Sequence, residues 1–205
     1  MNDGATTNGA FGRASPLGRL EAMLDEQAAL ARPPIHSWNP DARADIGLAI
    51  ERDGTWTYQG GPITRLELVR LFASVLRREE DGRYFVVTPA ERVPIRLADA
   101  PFLAVEMEVR GMGRMQDLIW RTNVDDVAVT GPDHAIRFEE EATGGLKPYI
   151  MIRDGLEARV TRAVYYDLVA LAETATTGGR GKFGVWSGGL FFPMADADVV
   201  AEVTA

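Results

Sequence analysis

The sequence predicts an α+β protein built on a duplicated β-β-α-β unit, with antiparallel sheets and one helix in each half. Two observations carry this. First, Arg52-Asp53-Gly54 recurs as Arg153-Asp154-Gly155, Thr64-Arg65 as Thr161-Arg162, and Val86 and Pro94 as Val185 and Pro193. The copies run from Gly47 to Ile95 and from Pro148 to Met194, and Leu71 and Ala73 match Leu168 and Ala170 in the same register. The offset is 101 residues at Asp-Gly, 97 at Thr-Arg and 99 at the closing strand, so short loop insertions absorb the drift. Second, each copy switches from alternating apolar residues to helical spacing and back, as a strand-helix-strand unit requires.

The elements follow in order. Residues 1–14 are rich in Gly, Thr and Asn and read as a disordered tail. Ser15-Pro16 reads as a helix cap followed by proline at the first helical position, which opens a helix over 15–32. Leu17, Leu20, Leu24 and Ala28 make one apolar stripe on it, and Pro33-Pro34 stops it, so this helix is expected to lie as a clasp across the body. The first half, 33–97, holds strands at Ile46–Ile50 and Thr55–Tyr58 around the Asp53-Gly54 turn, then a helix from about Thr64 to Arg78. Thr64 and Glu67 have capping-box spacing, and Leu66, Val69, Phe72 and Leu76 form the inward stripe. Strands at Tyr84–Val87 and Val93–Leu97 close this half.

The second half, 98–205, is larger. Leu103, Val105, Met107 and Val109 alternate with Ala104, Glu106, Glu108 and Arg110 and predict a half-buried strand with the first four facing inward. Asp117–Thr122, Asp126–Thr130 and Ala135–Glu140 read as further strands. The helix at Thr161–Thr174 is apolar nearly all round, which predicts cover on more than one side. A run of antiparallel strands with one helix predicts a curled sheet or small barrel capped by that helix.

Composition narrows the function classes. The net charge of −8 argues against a nucleic-acid polymer as partner, because phosphate binding draws on clustered Lys and Arg. With no cysteine, thiolate chemistry and disulfides are excluded, and the composition fits a reducing cytoplasm. No apolar run is long enough for a membrane-spanning helix, and no secretory leader is seen. Two histidines, His36 and His134, read as surface or capping groups, and Asp125-Asp126 as a turn. Gly178-Gly179-Arg180-Gly181-Lys182 fails the phosphate-loop spacing and feeds a strand, so it reads as a hairpin loop. No cofactor is expected, and the chain leans away from being an enzyme.

The candidate binding residues are those that the duplication repeats or that flank its turns. Arg65 and Arg162 each begin a helix, where the dipole disfavours a cation. Each is expected either to bind an anionic ligand through its planar fork or to pair with Asp53 and Asp154 in the same unit. Trp56 and Trp186 offer flat faces for a ring, Asn123 offers a donor and an acceptor, and the Ser187-Gly188-Gly189 backbone could approach a ligand closely. The seam between the halves is the expected location of the pocket.

The segments Ile50–Trp56 (IERDGTW), Pro62–Arg65 (PITR), Thr122–Asp126 (TNVDD), Val164–Leu168 (VYYDL) and Trp186–Pro193 (WSGGLFFP) together resemble a bacterial family, the domain of unknown function 1285. The resemblance covers roughly residues 33–195. It implies a duplicated core whose C-terminal half is similar to a pleckstrin-homology-like fold. It also implies a nucleotide-like ligand at the seam and a role in signalling, with no catalytic residues to carry over. The function expected is therefore a non-catalytic, cytoplasmic ligand-binding protein, the alternative being a protein-interaction module with a signalling partner.

Overall fold

The structure is a computed structural model that describes residues 15–17, 20, 33–141 and 145–197. The tail expected over 1–14 and most of the predicted clasp helix lie outside the described residues. Of that helix, Pro16, Leu17 and Leu20 are helical, and both leucines are fully buried. The chain divides into two units, one of residues 1–51 and 55–97 and the other of 52–54 and 98–205.

In the first unit the described strands are β1 (Leu48–Ile50), β2 (Trp56–Tyr58), β3 (Gly61–Pro62), β4 (Leu76–Arg78), β5 (Tyr84–Val87) and β6 (Arg92–Leu97), with helix α1 (Leu66–Ser74) between β3 and β4. They form one sheet in the order β3-β2-β1-β6-β5-β4. All pairs are antiparallel except β1 with β6, where Leu48 lies opposite Ile95 in a parallel ladder. The helix buries Leu68, Val69, Phe72 and Ala73, and the Phe72 ring lies 6.3 Å from Trp56, which is itself buried.

The helix departs from expectation at both ends. Arg65, not Thr64, is its N-cap, and no side chain caps it, so the capping box does not form. Arg65 instead receives the Leu68 and Val69 N–H groups on its carbonyl. At the other end the helix stops at Ser74 and strand β4 begins at Leu76. The Val75 carbonyl accepts the Val87 N–H at 3.1 Å, so ladder pairing with β5 replaces the next helical turn. Leu66, expected inside, is 43% exposed.

In the second unit the strands are β7 (Phe102–Arg110), β8 (Asp117–Thr122), β9 (Val127–Val129), β10 (Ile136–Glu140), β11 (Leu146–Arg153) and β12 (Leu156–Val160), then helix α2 (Arg162–Ala170), then β13 (Glu173–Thr177), β14 (Arg180–Ser187) and β15 (Leu190–Asp196). The first six make a sheet in the order β10-β11-β12-β7-β8-β9, parallel only between β12 and β7. The last three make a separate antiparallel sheet that lies against β8 and β10, so the strands curl around a core of Phe102, Leu118, Trp120, Ile150, Leu156, Leu168 and Val185. The architecture is α+β with duplicated units, and each copy runs β-β-α-β-β-β once the short third strand of the first copy is set aside.

Two expectations fail here for packing reasons. On β7 the inward residues are Phe102 and Ala104, whereas Leu103 is half-buried and Val109 is 37% exposed. A register shift between Ala104 and Glu106 breaks the alternation, so the strand's outer end stands clear of the core. Helix α2 buries only Val164 and Leu168 and leaves Tyr166 58% exposed. It is covered on one side, and it ends at Ala170 because Glu173–Thr177 joins β14 as a strand.

Candidate functional site

In the second unit, a cavity of about 430 Å³ opens where the start of α2 meets the hairpin of β10 and β11 and the end of β12. Its walls carry three cations, Lys147, Arg159 and Arg162, with one carboxylate, Glu141, and two aromatic rings, Tyr165 and Tyr166. Each cation is positioned differently. Arg159 is held by Asp99 at 3.3 Å and donates to the Arg52 carbonyl at 2.7 Å. Asp99 in turn accepts the Tyr149 hydroxyl at 2.8 Å, and burial, reinforced by that carboxylate, raises the Tyr149 pKa. Lys147 lies 3.3 Å from Glu141.

Arg162 is the exception. Its Nε donates to the Tyr166 hydroxyl oxygen at 3.0 Å, four residues on along the same helix, and its guanidinium lies 5.7 Å from that ring. The phenol contact holds the Arg162 pKa above its ordinary value. The salt bridge expected with Asp154 does not form, and no carboxylate pairs with Arg162 among the described residues. With Nε engaged, the two terminal nitrogens remain as a fork, which is the geometry that grips a carboxylate or phosphate through two parallel bonds. Tyr165 stands beside it, its ring 6.4 Å from that of Tyr166, with burial raising its pKa.

The other candidates fall elsewhere. Trp56 fills the core of the first unit, and Arg65 caps α1 there. Asn123 accepts the Leu103 N–H on Oδ1 at 2.9 Å, and a side chain at Gly54 would sit 2.9 Å from its Nδ2, which explains a glycine at a φ of +81°. Ser187 is fully buried; its hydroxyl donates to the Thr130 carbonyl at 2.9 Å and accepts the Leu118 N–H at 3.1 Å. Trp186 packs against Phe191 at 5.1 Å and lies under the Arg114 guanidinium at 4.9 Å. The Gly188 and Gly189 N–H groups, expected to be open to a ligand, donate to the Gln116 and Arg114 carbonyls.

Among the described residues no cluster of three or more His, Asp or Glu could hold a metal ion. Asp125 and Asp126 bond instead to Arg121 at 3.1 Å and Arg153 at 3.4 Å. His134 sets its Nδ1 3.0 Å from the Met151 carbonyl. No helix of the described residues is long and apolar enough to cross a membrane. Sequence reasoning missed Lys147, Arg159, Tyr165 and Tyr166. The signal for the last was present in the four-residue spacing of Arg162 and Tyr166.

No curated protein matches the chain. A crystal structure of a DUF1285 family protein from Silicibacter pomeroyi DSS-3 is similar at 46% identity and a TM-score of 0.78, over 87% of this chain and 97% of that one. Another, from Shewanella baltica OS155, shares 27% identity over 60% of this chain and 91% of that one, at a TM-score of 0.47. Two family models cover nearly all of the described chain: the domain of unknown function (DUF1285), N-terminal domain, over residues 33–100, and the protein of unknown function (DUF1285), C-terminal domain, over residues 101–194. The chain belongs to the DUF1285 family.

Proposed function

We propose that this protein is a non-catalytic ligand-binding protein of cytoplasmic signalling, and that it takes an anionic, nucleotide-like small molecule in the cavity of its second unit. The observation that carries this reading is Arg162, a cation with a tyrosine partner and no carboxylate partner among the described residues, at the wall of a cavity that also offers two rings. The cavity volume of about 430 Å³ is within the range of small-molecule sites. A non-catalytic role is supported by the commitment of Ser187 to two backbone groups, which leaves its hydroxyl no part as a nucleophile.

Thermal unfolding against nucleotides, second messengers and phosphorylated metabolites tests the reading. A ligand at a hundredfold excess over its dissociation constant stabilises by about 2.7 kcal/mol, or roughly 5 to 10 °C in Tm for a chain of this size. The shift should vanish in Arg162→Ala. A flat panel would refute the reading.

A protein-interaction role is the second reading, and exposed apolar residues favour it. On the edge strand β9, Val127 is 59% and Val129 42% exposed, and Met112 and Met115 are 86% and 74% exposed. It predicts partner binding that survives loss of both Arg65 and Arg162 and is lost in Val127→Asp.

A further inference from the structure

The charges around the cavity do more than mark it as anionic-ligand space; they set how many anionic groups it can take. Lys147 is matched by Glu141, and Arg159 by Asp99, so two of the three cations are already compensated by carboxylates of the protein. Arg162 makes no ion pair among the described residues, and Glu141, already engaged by Lys147, also acts on it electrostatically, so three cations face two carboxylates. The segment 142–144 adds nothing to this balance, since its sequence is Ala-Thr-Gly.

Resting on the ligand-binding reading above, we propose that the ligand carries one terminal anionic group joined through a short non-planar linker to a flat ring, as the sugar joins phosphate and base in a nucleoside monophosphate, and that Glu141 excludes polyphosphates. The two terminal nitrogens of Arg162 take that group end-on. The Tyr166 hydroxyl, which accepts from Nε, keeps its own proton to donate to the same group. A second or third phosphate meets no free cation. It meets Lys147 already engaged and the Glu141 carboxylate beside it, and like charges in a partly desolvated site repel. The ring lies against Tyr165 and Tyr166.

The test is equilibrium binding of adenosine, AMP, ADP and ATP to the full chain, without divalent cations, which would mask phosphate charge. AMP should bind most tightly, with affinity falling at each added phosphate and falling at least about tenfold for adenosine, as expected when a charge-assisted bond is lost. Arg162→Ala should reduce AMP to the level of adenosine, and Arg162→Lys should restore only part of it, because an ammonium lacks the fork. Glu141→Gln is the discriminating variant. It frees Lys147, so it should raise ATP affinity several-fold more than AMP affinity.

The failures separate. If ATP binds as tightly as AMP, or if Glu141→Gln leaves their ratio unchanged, the single-anion assignment is wrong while ligand binding stands. Adenosine binding as tightly as AMP would remove Arg162 as the anchor. If none of the four binds, the nucleotide-like reading falls and this inference with it.

Discussion

Replacing Ser187 by alanine separates a structural role from a binding one. Its hydroxyl links β8 to the loop after β9: it accepts the Leu118 N–H at 3.1 Å and donates to the Thr130 carbonyl at 2.9 Å, with the side chain fully buried. Alanine removes both bonds without changing the fold of the strand. What remains is a buried donor and a buried acceptor, each costing about 1–3 kcal/mol when no partner replaces the lost one. Partial relaxation brings the sum to roughly 2–4 kcal/mol, which for a chain of this length lowers Tm by about 5 to 15 °C. Melting followed by far-UV circular dichroism measures this, with AMP titration of the same variant at a temperature where it is folded. We expect the full loss of Tm with AMP affinity unchanged. A variant that melts with the wild type and loses AMP binding would refute the reasoning and return Ser187 to the binding set.

Three further outcomes are expected. Glu79→Gln should cost about 1–2 kcal/mol at neutral pH, because Glu79 receives Arg77 at 2.6 Å and Arg92 at 3.2 Å, and the Arg77 side chain is only 9% exposed. Burial raises the Glu79 pKa, but the hydrogen bonds and charges of Arg77 and Arg92 outweigh it and hold it below the ordinary 4.5; its contribution is therefore complete above that pH and lost as pH falls through the lower folded value, so the difference from Glu79→Gln in urea titrations should shrink below pH 4.5 and not at higher pH. Gly184→Ala should destabilise by about 3 kcal/mol, since its new Cβ would lie 2.3 Å from the Phe192 carbonyl oxygen and the β14–β15 ladder must shift. Arg162→Ala should leave Tm unchanged in the absence of ligand, its single partner being an exposed phenol, and a fall of several degrees would make it a structural residue.

What was legible in the sequence was local. The Asp154-Gly155 and Gly178-Gly179 turns have positive φ at both residues, as two-residue hairpins demand; the first joins the two strands its flanking residues implied, whereas for the second only the strand after the turn was legible, since Glu173 and Thr174 read as the end of the helix. Helix ends were not legible, because Leu76 continues the apolar spacing of α1 and only pairing with Val86 across the sheet takes it out of the helix. The inward face of β7 depended on a register shift that leaves no mark in composition. The candidate site divides the same way. Arg162 was found as a repeated residue, but whether a cation is compensated depends on partners distant in sequence, and Arg159 reaches Asp99 sixty positions away. Asn123 and Ser187 look alike as polar residues near turns; only their backbone partners assign them to structure.

The two copies of the unit differ around the candidate site. In the first copy the opening hairpin closes its own sheet, β1 pairing parallel with β6, so the strands after the helix return to the strands before it. In the second, β12 pairs parallel with β7, a strand that comes before the repeat, and the three strands after the helix form a sheet of their own. The helix of this copy is covered on one side only, and its first turns border open space with β11 and β12. The repeated arginines diverge at the same point. Four residues beyond Arg65 stands Val69, packed into its own core, whereas four residues beyond Arg162 stands Tyr166, exposed and oriented by the guanidinium. Both helices leave one face exposed, and what differs is the position four residues beyond the arginine, which α1 packs for stability and α2 leaves at its surface beside the cation. That difference at one helical position sets a cation and a ring side by side on the exposed face of α2, where contacts with the proposed ligand are to be sought.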